Sequence, residues 1–297
     1  MEFIPAKQIL STWSNGDSWF GSNYSMNIYK GCSHGCIYCD SRSECYQVDN
    51  FDQVRAKTDV IALLDKELGA KRRKGIVANG AMSDPYNLFE RKHRLTRDAL
   101  KLLDKHRFGA SILTKSDSVI RDIDLLTQIR AHSPVVIKFT ITTADDLLAR
   151  KLEPRVASPS QRFAALKRIS SEGIYTGILV WPILPFITDI EESFSSLVQK
   201  AVDHGVKFVC PAPFYGVTLR QNQRVYFYQQ LDQLFPGLKQ QYISEYGGRY
   251  ECCSPHKTRL QQIIGELCEL HGLLHRMSDI RDAIVSQRGC EQLPLFN

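Results

Sequence analysis

The chain has 297 residues, 43% apolar and 24% charged, and 38 basic against 32 acidic side chains leave a formal charge of +6. These proportions match the globular average and exclude disorder, collagen-like sequence and coiled coil as global descriptions; the small basic excess is compatible with a polyanionic partner without requiring one. No apolar run reaches the ~18 residues of a bilayer span and no signal-peptide stretch opens the chain, so a soluble, cytoplasmic protein is expected, its nine cysteines being thiols or metal ligands.

After an N-terminal extension over residues 1–21, Met26 to Tyr29 reads as a first strand. Asp59 to Lys71 sets Val60, Ile61, Leu63, Leu64 and Leu68 at helical spacing, with Thr58 as N-cap. Gly75 to Asn79 is a short apolar run ending at Asn79-Gly80, as a buried strand does on leaving a sheet. A helix over Thr96 to His106, a strand over Ala110 to Thr114 and a helix through Val119 to Ile129 follow. Val135 to Ile141 is the strongest β-branched run of the chain. Ser158-Pro159-Ser160-Gln161 supplies an N-cap, a first-turn proline and a capping-box glutamine to a helix that Gly173 stops.

A strand over Tyr175 to Trp181, a helix over Ser193 to His204 closed by Gly205, and a strand over Phe208 to Cys210 bring the count to about six strands separated by helices. Such alternation implies parallel pairing and right-handed crossovers, in an α/β fold that is either an incomplete β/α barrel or a doubly wound sheet. Past Pro213 the pattern changes. Aromatics and glutamines crowd Arg224 to Gln241, Gly247-Gly248 interrupts, and Ser254-Pro255 opens a last helix to His271 with Gly272 as its stop. Residues 22–216 are therefore expected to form the core and 217–297 a mostly helical C-terminal region.

Cys32, Cys36 and Cys39 form a C-x3-C-x2-C loop directly after the first expected strand. Three thiolates so close in sequence wrap one metal centre: a 4Fe–4S cluster with one iron open, or, with His34 as fourth ligand, a structural zinc. Cys45 lies beyond an easy turn, and no second CxxC knuckle exists. Loops after the strands of a parallel barrel carry its active site. Those loops hold Gly80, Ser83 and Asp84, then Thr114 and Lys115, then Thr140 and Thr142. Asp84 suits an ammonium, Lys115 a carboxylate and Gly80 a close backbone approach, although polar loop residues also simply cap helices.

The C-x3-C-x2-C loop with Tyr38 before its last cysteine resembles the radical S-adenosylmethionine signature. Gly31 to Tyr46, Ser83-Asp84-Pro85-Tyr86, Thr140 to Pro154 and Trp181 to Pro185 resemble the spore photoproduct lyase-like branch of that superfamily, together covering about residues 18 to 215. The resemblance implies a partial (β/α)6 TIM-type barrel with a 4Fe–4S cluster on Cys32, Cys36 and Cys39. Its open iron would bind S-adenosylmethionine, whose reductive cleavage gives a 5′-deoxyadenosyl radical that abstracts hydrogen from a substrate. It also implies cofactor contacts at Ser83, Asp84, Lys115 and Thr140, with Tyr38, Gly80 and Thr142 beside them, a reductase such as flavodoxin or ferredoxin, and a DNA or nucleotide substrate.

One position departs from the pattern. The family's cysteine two residues before the Ser-Asp pair, which returns hydrogen to the product radical, is Ala81 here. Cys45 and Cys210 are the candidate substitutes, Cys210 because it ends the sixth strand. Arg91 to Arg94 is a phosphate candidate, whereas Lys71 to Lys74 reads as a solvated helix end and Cys252, Cys253 and Cys268 as plain thiols. The tail Gln292 to Phe296 resembles the peptide by which bacterial repair proteins dock on the sliding clamp. The rival readings are a zinc-stabilised nucleic-acid-binding module and a clamp-associated accessory protein.

Overall fold

In the computed structural model, which describes residues 2–13 and 19–287, six strands pair in parallel in the order the chain makes them. They are β1 (Tyr24–Met26), β2 (Ile76–Asn79), β3 (Gly109–Thr114), β4 (Val135–Thr140), β5 (Tyr175–Val180) and β6 (Phe208–Pro211). Helices α1 (Val60–Ala70), α2 (Leu95–Lys105), α3 (Ile123–Arg130), α4 (Pro159–Ser171) and α5 (Glu191–Asp203) connect them in turn. The sheet stays open. β6 pairs with β5 on one side and makes a single parallel bridge, Phe208 with Leu274, on the other, and the free edge of β1 takes an antiparallel strand, Leu10–Thr12. This is the partial barrel expected of the alternation.

β4 shows why its β-branched run forms a strand buried on both faces. Val135, Ile137 and Phe139 join the core beneath the helices. Val136 faces inward with Phe20, Ile76, Leu179 and Phe208. The next inward position is not apolar: Lys138, 4% exposed, is paired in register with Gly177.

The capping box forms as read. Ser158 Oγ accepts from the Gln161 amide at 3.3 Å, and Gln161 Oε1 accepts from the Ser158 amide at 2.8 Å. Three expectations need correction. Met26 to Tyr29 is not one strand: β1 ends at Met26, and Tyr29–Lys30 pairs instead with Arg55–Lys57 in a small sheet with Glu2–Ile4. The cause is a distant partner: Tyr29 and Lys30 pair in register with Ala56 and Arg55, which draws the chain out of the main sheet. The helix start at Thr58 falls one residue later, on Asp59 in a left-handed conformation with no side-chain cap. The chain also carries one helix beyond the expected last one.

Past β6 come α6 (Gln221–Leu234), α7 (Leu238–Tyr246), α8 (Lys257–Leu270) and α9 (Met277–Val285). Leu260, Ile264 and Cys268 of α8 belong to the same core as Phe194 and Leu197 of α5. From α9, Ile280 and Ile284 pack with Phe20, Ile76 and Phe208, so this helix plugs the end of the barrel where β2 and β6 begin. Among the described residues no helix is long and apolar enough to cross a membrane.

Candidate active site

The cysteine loop is pinned on both sides by backbone hydrogen bonds. Gly31 opens it at φ +80, where a Cβ would meet the Gln53 carbonyl at 2.5 Å, so only glycine fits. The Cys32 amide donates to the Phe51 carbonyl at 2.8 Å and the Ile37 amide to the Leu152 carbonyl at 3.0 Å. Ser83 Oγ donates to the Gly31 carbonyl at 2.5 Å, tying the end of β2 to the loop.

Asp84 joins three segments. Its Oδ1 accepts from the Tyr86 amide and from Thr114 Oγ1, both at 2.8 Å, and its Oδ2 accepts from the Lys115 amide at 2.7 Å. His34 Nδ1 lies 3.6 Å from the same carboxylate, and burial holds this imidazole below its ordinary pKa. Asp84 is thus engaged mainly in fixing the ends of β2 and β3, with little lone-pair capacity left for a ligand.

The result is a hollow of about 100 Å³. Its walls carry Cys32, Cys36 and Cys39 together with Gly80, Ser83, Asp84, Lys115 and Thr140. All three cysteines are free thiols. Burial pushes Cys32 up to about 11 and raises Cys36 and Cys39 as well, so these thiols ionise only beside a strongly cationic centre. Among the described residues, no three His, Cys, Asp or Glu side chains stand close enough to hold a single metal ion.

A buried ionic network underlies the loop, and two of its members escaped the sequence reading. Tyr38 donates its hydroxyl to Glu153, and Glu153 pairs with Arg162 at 2.5 Å, with side-chain exposures of 0% and 1%. Arg162 also donates to the Thr140 carbonyl at 2.8 Å and the Ala157 carbonyl at 2.7 Å. Burial would raise the Glu153 carboxyl, but Arg162 and Lys115 outweigh it and hold it low. The ammonium of Lys115 sits 5.8 Å over the Tyr38 ring. The one sequence signal for Arg162 was a charge on the core side of a well-capped helix.

The remaining candidates are divided. Gly80 lines the hollow, but its φ of +105 and the Leu113 carbonyl, 1.9 Å from where a Cβ would sit, demand glycine for strand packing rather than for ligand approach. Thr142 is buried outside the hollow, its hydroxyl without a hydrogen-bond partner among the described residues. Cys45 is exposed on a separate hollow with Arg220, Arg224 and Tyr250. Cys210 lines neither this hollow nor the cavity beside it; burial pushes its thiol up to about 12, with Lys138 as its charged neighbour. The structure therefore brings neither substitute donor to the cysteine loop.

That neighbouring cavity, about 440 Å³, shares Ala81, Met82 and Leu113 with the cysteine hollow. Trp13, Trp19, Phe20, Trp181, Asn79 and Lys138 line it.

Residues 26–198 match the family model described as the Radical SAM superfamily. The chain belongs to that superfamily. An uncharacterized protein of Mycobacterium tuberculosis is 31% identical over 230 residues, covering 75% of this chain and 67% of its own. One from Methanocaldococcus jannaschii is 34% identical over 171 residues, covering 58% and 64%. A spore photoproduct lyase structure, complexed with dinucleoside spore photoproduct, superposes with a TM-score of 0.65 at 15% identity over 91% of this chain and 80% of its own. A radical S-adenosylmethionine methyltransferase from Kitasatospora setae gives a TM-score of 0.53 at 11% identity, over 83% and 51%. The fold is thus shared with spore photoproduct lyase. Membership makes this a radical S-adenosylmethionine enzyme, a class that implies an iron–sulfur cluster and S-adenosylmethionine, and three free thiols on one wall are the donor set such a cluster takes.

Proposed function

We propose that Cys32, Cys36 and Cys39 hold a 4Fe–4S cluster, that the adjoining strand ends bind S-adenosylmethionine, and that the substrate is a nucleic acid or nucleotide. The observation that carries this reading is the convergence of the three thiols with Ser83, Asp84, Lys115 and Thr140 on one hollow. When bound, the cluster supplies the low-potential electron that cleaves S-adenosylmethionine to methionine and a 5′-deoxyadenosyl radical.

The side chains divide the remaining work. Lys115 pairs with the cofactor carboxylate, and Thr140 supplies a hydroxyl at the end of β4. Ser83 and Asp84 act chiefly by holding the loop and the end of β3 in place, through the bonds to Gly31, Thr114 and Lys115. Tyr38, braced by Glu153 and Arg162, walls the site against water.

The substrate class is carried by a structural relative that binds a dinucleoside and by a polar hollow beside His34 that Arg91 and Arg155 line. Ala81 stands on the shared wall where a thiol donor would have to act, so the reaction proposed here does not quench its product radical with a thiol from that position. A flavodoxin or ferredoxin is the proposed electron donor. The proposed clamp-docking peptide, Gln292 to Phe296, lies outside the described residues.

Anaerobic reconstitution tests the reading directly. About four irons per chain and formation of 5′-deoxyadenosine on reduction are expected. Cys36→Ala should lose the iron and Cys45→Ala should keep it. Full iron retention in Cys36→Ala would overturn the assignment.

A further inference from the structure

All three tryptophans of the chain line one cavity, the 440 Å³ space that adjoins the cysteine hollow. Trp19 and Trp181 meet edge to face, with centroids 4.7 Å apart, which fixes an aromatic corner. The volume is that of a site for a small organic molecule.

Its polar groups are mostly donors. Lys138 projects into the cavity from the middle of β4 with its ammonium 2.5 Å from Ser111 Oγ and 4.4 Å over the Phe20 ring. An ammonium has three N–H groups, so one hydroxyl partner leaves capacity. Asn79 Nδ2 and Trp181 Nε1 are buried and have no hydrogen-bond partner among the described residues. Ser25 and Asn27 complete the polar lining. Buried donors without partners are rare in folded proteins, because leaving them unpaired is unfavourable. Two of them beside an ammonium with donors to spare, around an aromatic corner, mark a place where acceptors arrive. An apolar guest would leave those two unpaired and the spare N–H groups of Lys138 unused, and a bare anion would make no use of the indole walls.

We propose that this cavity receives the reacting part of the substrate as a flat ring bearing carbonyl oxygens, stacked among the tryptophans with its carbonyls on Lys138, Asn79 and Trp181. Lys138 is then a specificity-determining residue. The assignment rests on the proposed nucleotide-class substrate and narrows it to bases with ring carbonyls. Ala81, Met82 and Leu113 form the common wall, so the ring lies next to the hollow assigned to S-adenosylmethionine.

Intrinsic fluorescence reports on this cavity, since all three tryptophans line it, Trp13 and Trp19 also facing solvent. The full-length protein is titrated with uridine, which has two ring carbonyls, and with toluene, which has a ring and no acceptor. Uridine should quench saturably. Its Kd should rise at least about tenfold in Lys138→Met, and several-fold in Asn79→Ala, with toluene little affected, since each lost acceptor contact is removed selectively. A uridine affinity unmoved by both substitutions, toluene binding as tightly as uridine, or no saturable change with uridine would each overturn the proposal. Failure to form 5′-deoxyadenosine would instead overturn the proposed function and leave the titration standing, so the two failures are distinguishable.

Discussion

Lys138 is a cation held 4% exposed in the barrel interior, its ammonium against the Ser111 hydroxyl and the Phe20 ring and near the Cys210 thiol. Burial lowers its pKa from 10.5 to about 7. The unfolded chain therefore binds this proton between pH 7 and 10.5 while the folded chain does not, so stability rises with pH across that window and the penalty is complete below it. Lys138→Met should accordingly stabilise the protein by on the order of 2–4 kcal/mol at neutral pH. Denaturant titrations at mildly acid and at alkaline pH check this: the gain should shrink toward pH 10, and a pH-independent gain would mean the ammonium was never desolvated. A side chain retained against such a penalty is a functional candidate on energetic grounds alone. The Glu153–Arg162 pair obeys the opposite logic, because each charge neutralises the other in place. Arg162→Met should cost about 3–5 kcal/mol by stranding the carboxylate, whereas the double variant with Glu153→Leu should recover part of that loss.

Gly80 and Ser158 mark two kinds of local signal and two kinds of consequence. A Cβ at Gly80 would sit 1.9 Å from the Leu113 carbonyl, in a backbone conformation already at φ +105. Gly80→Ala should therefore force β2 from β3, cost at least about 2 kcal/mol, and weaken S-adenosylmethionine binding through Asp84 and Thr114. Ser158→Ala removes one capping bond of α4 and should cost about 1 kcal/mol without changing cofactor affinity. Paired denaturation and calorimetric titration separate the two. The capping box was legible because all its partners lie within four residues, and β4 because its composition favours a strand at every position. The cysteine loop was legible for the same local reason. Met26 to Tyr29 was misread because its apolar content is that of a strand while the break in pairing is set by Arg55 to Lys57, far along the chain. Glu153 was invisible for a related reason: its partner Tyr38 lies more than a hundred residues away, and no spacing rule reaches that far.

The barrel works as a tube with one chemical end and one sealed end, and the seal comes from the two ends of the chain. Trp19 and Phe20 enter the barrel from the N-terminal segment, and Phe20 holds a left-handed φ of +54 that an aromatic side chain adopts only where packing over-determines it. The packing is visible: Phe20 stacks on Phe208 with centroids 5.8 Å apart, and Ile280 and Ile284 of α9 close over both. The last described helix therefore supports Trp19 and the ammonium of Lys138 through Phe20, although it contributes nothing to the cysteine loop. Ile280→Ala should open a void in this seal and cost about 2–4 kcal/mol, lowering Tm by roughly 5–10 °C. Because every tryptophan lines the cavity above the seal, the same variant should show faster acrylamide quenching in the folded state. Iron content should stay at the wild-type level, since Cys32, Cys36 and Cys39 are held from the other end by Phe51, Leu152 and Ser83. If Ile280→Ala instead lost its iron while its tryptophan quenching stayed at the wild-type rate, the two ends of the barrel would be coupled in a way this packing does not provide.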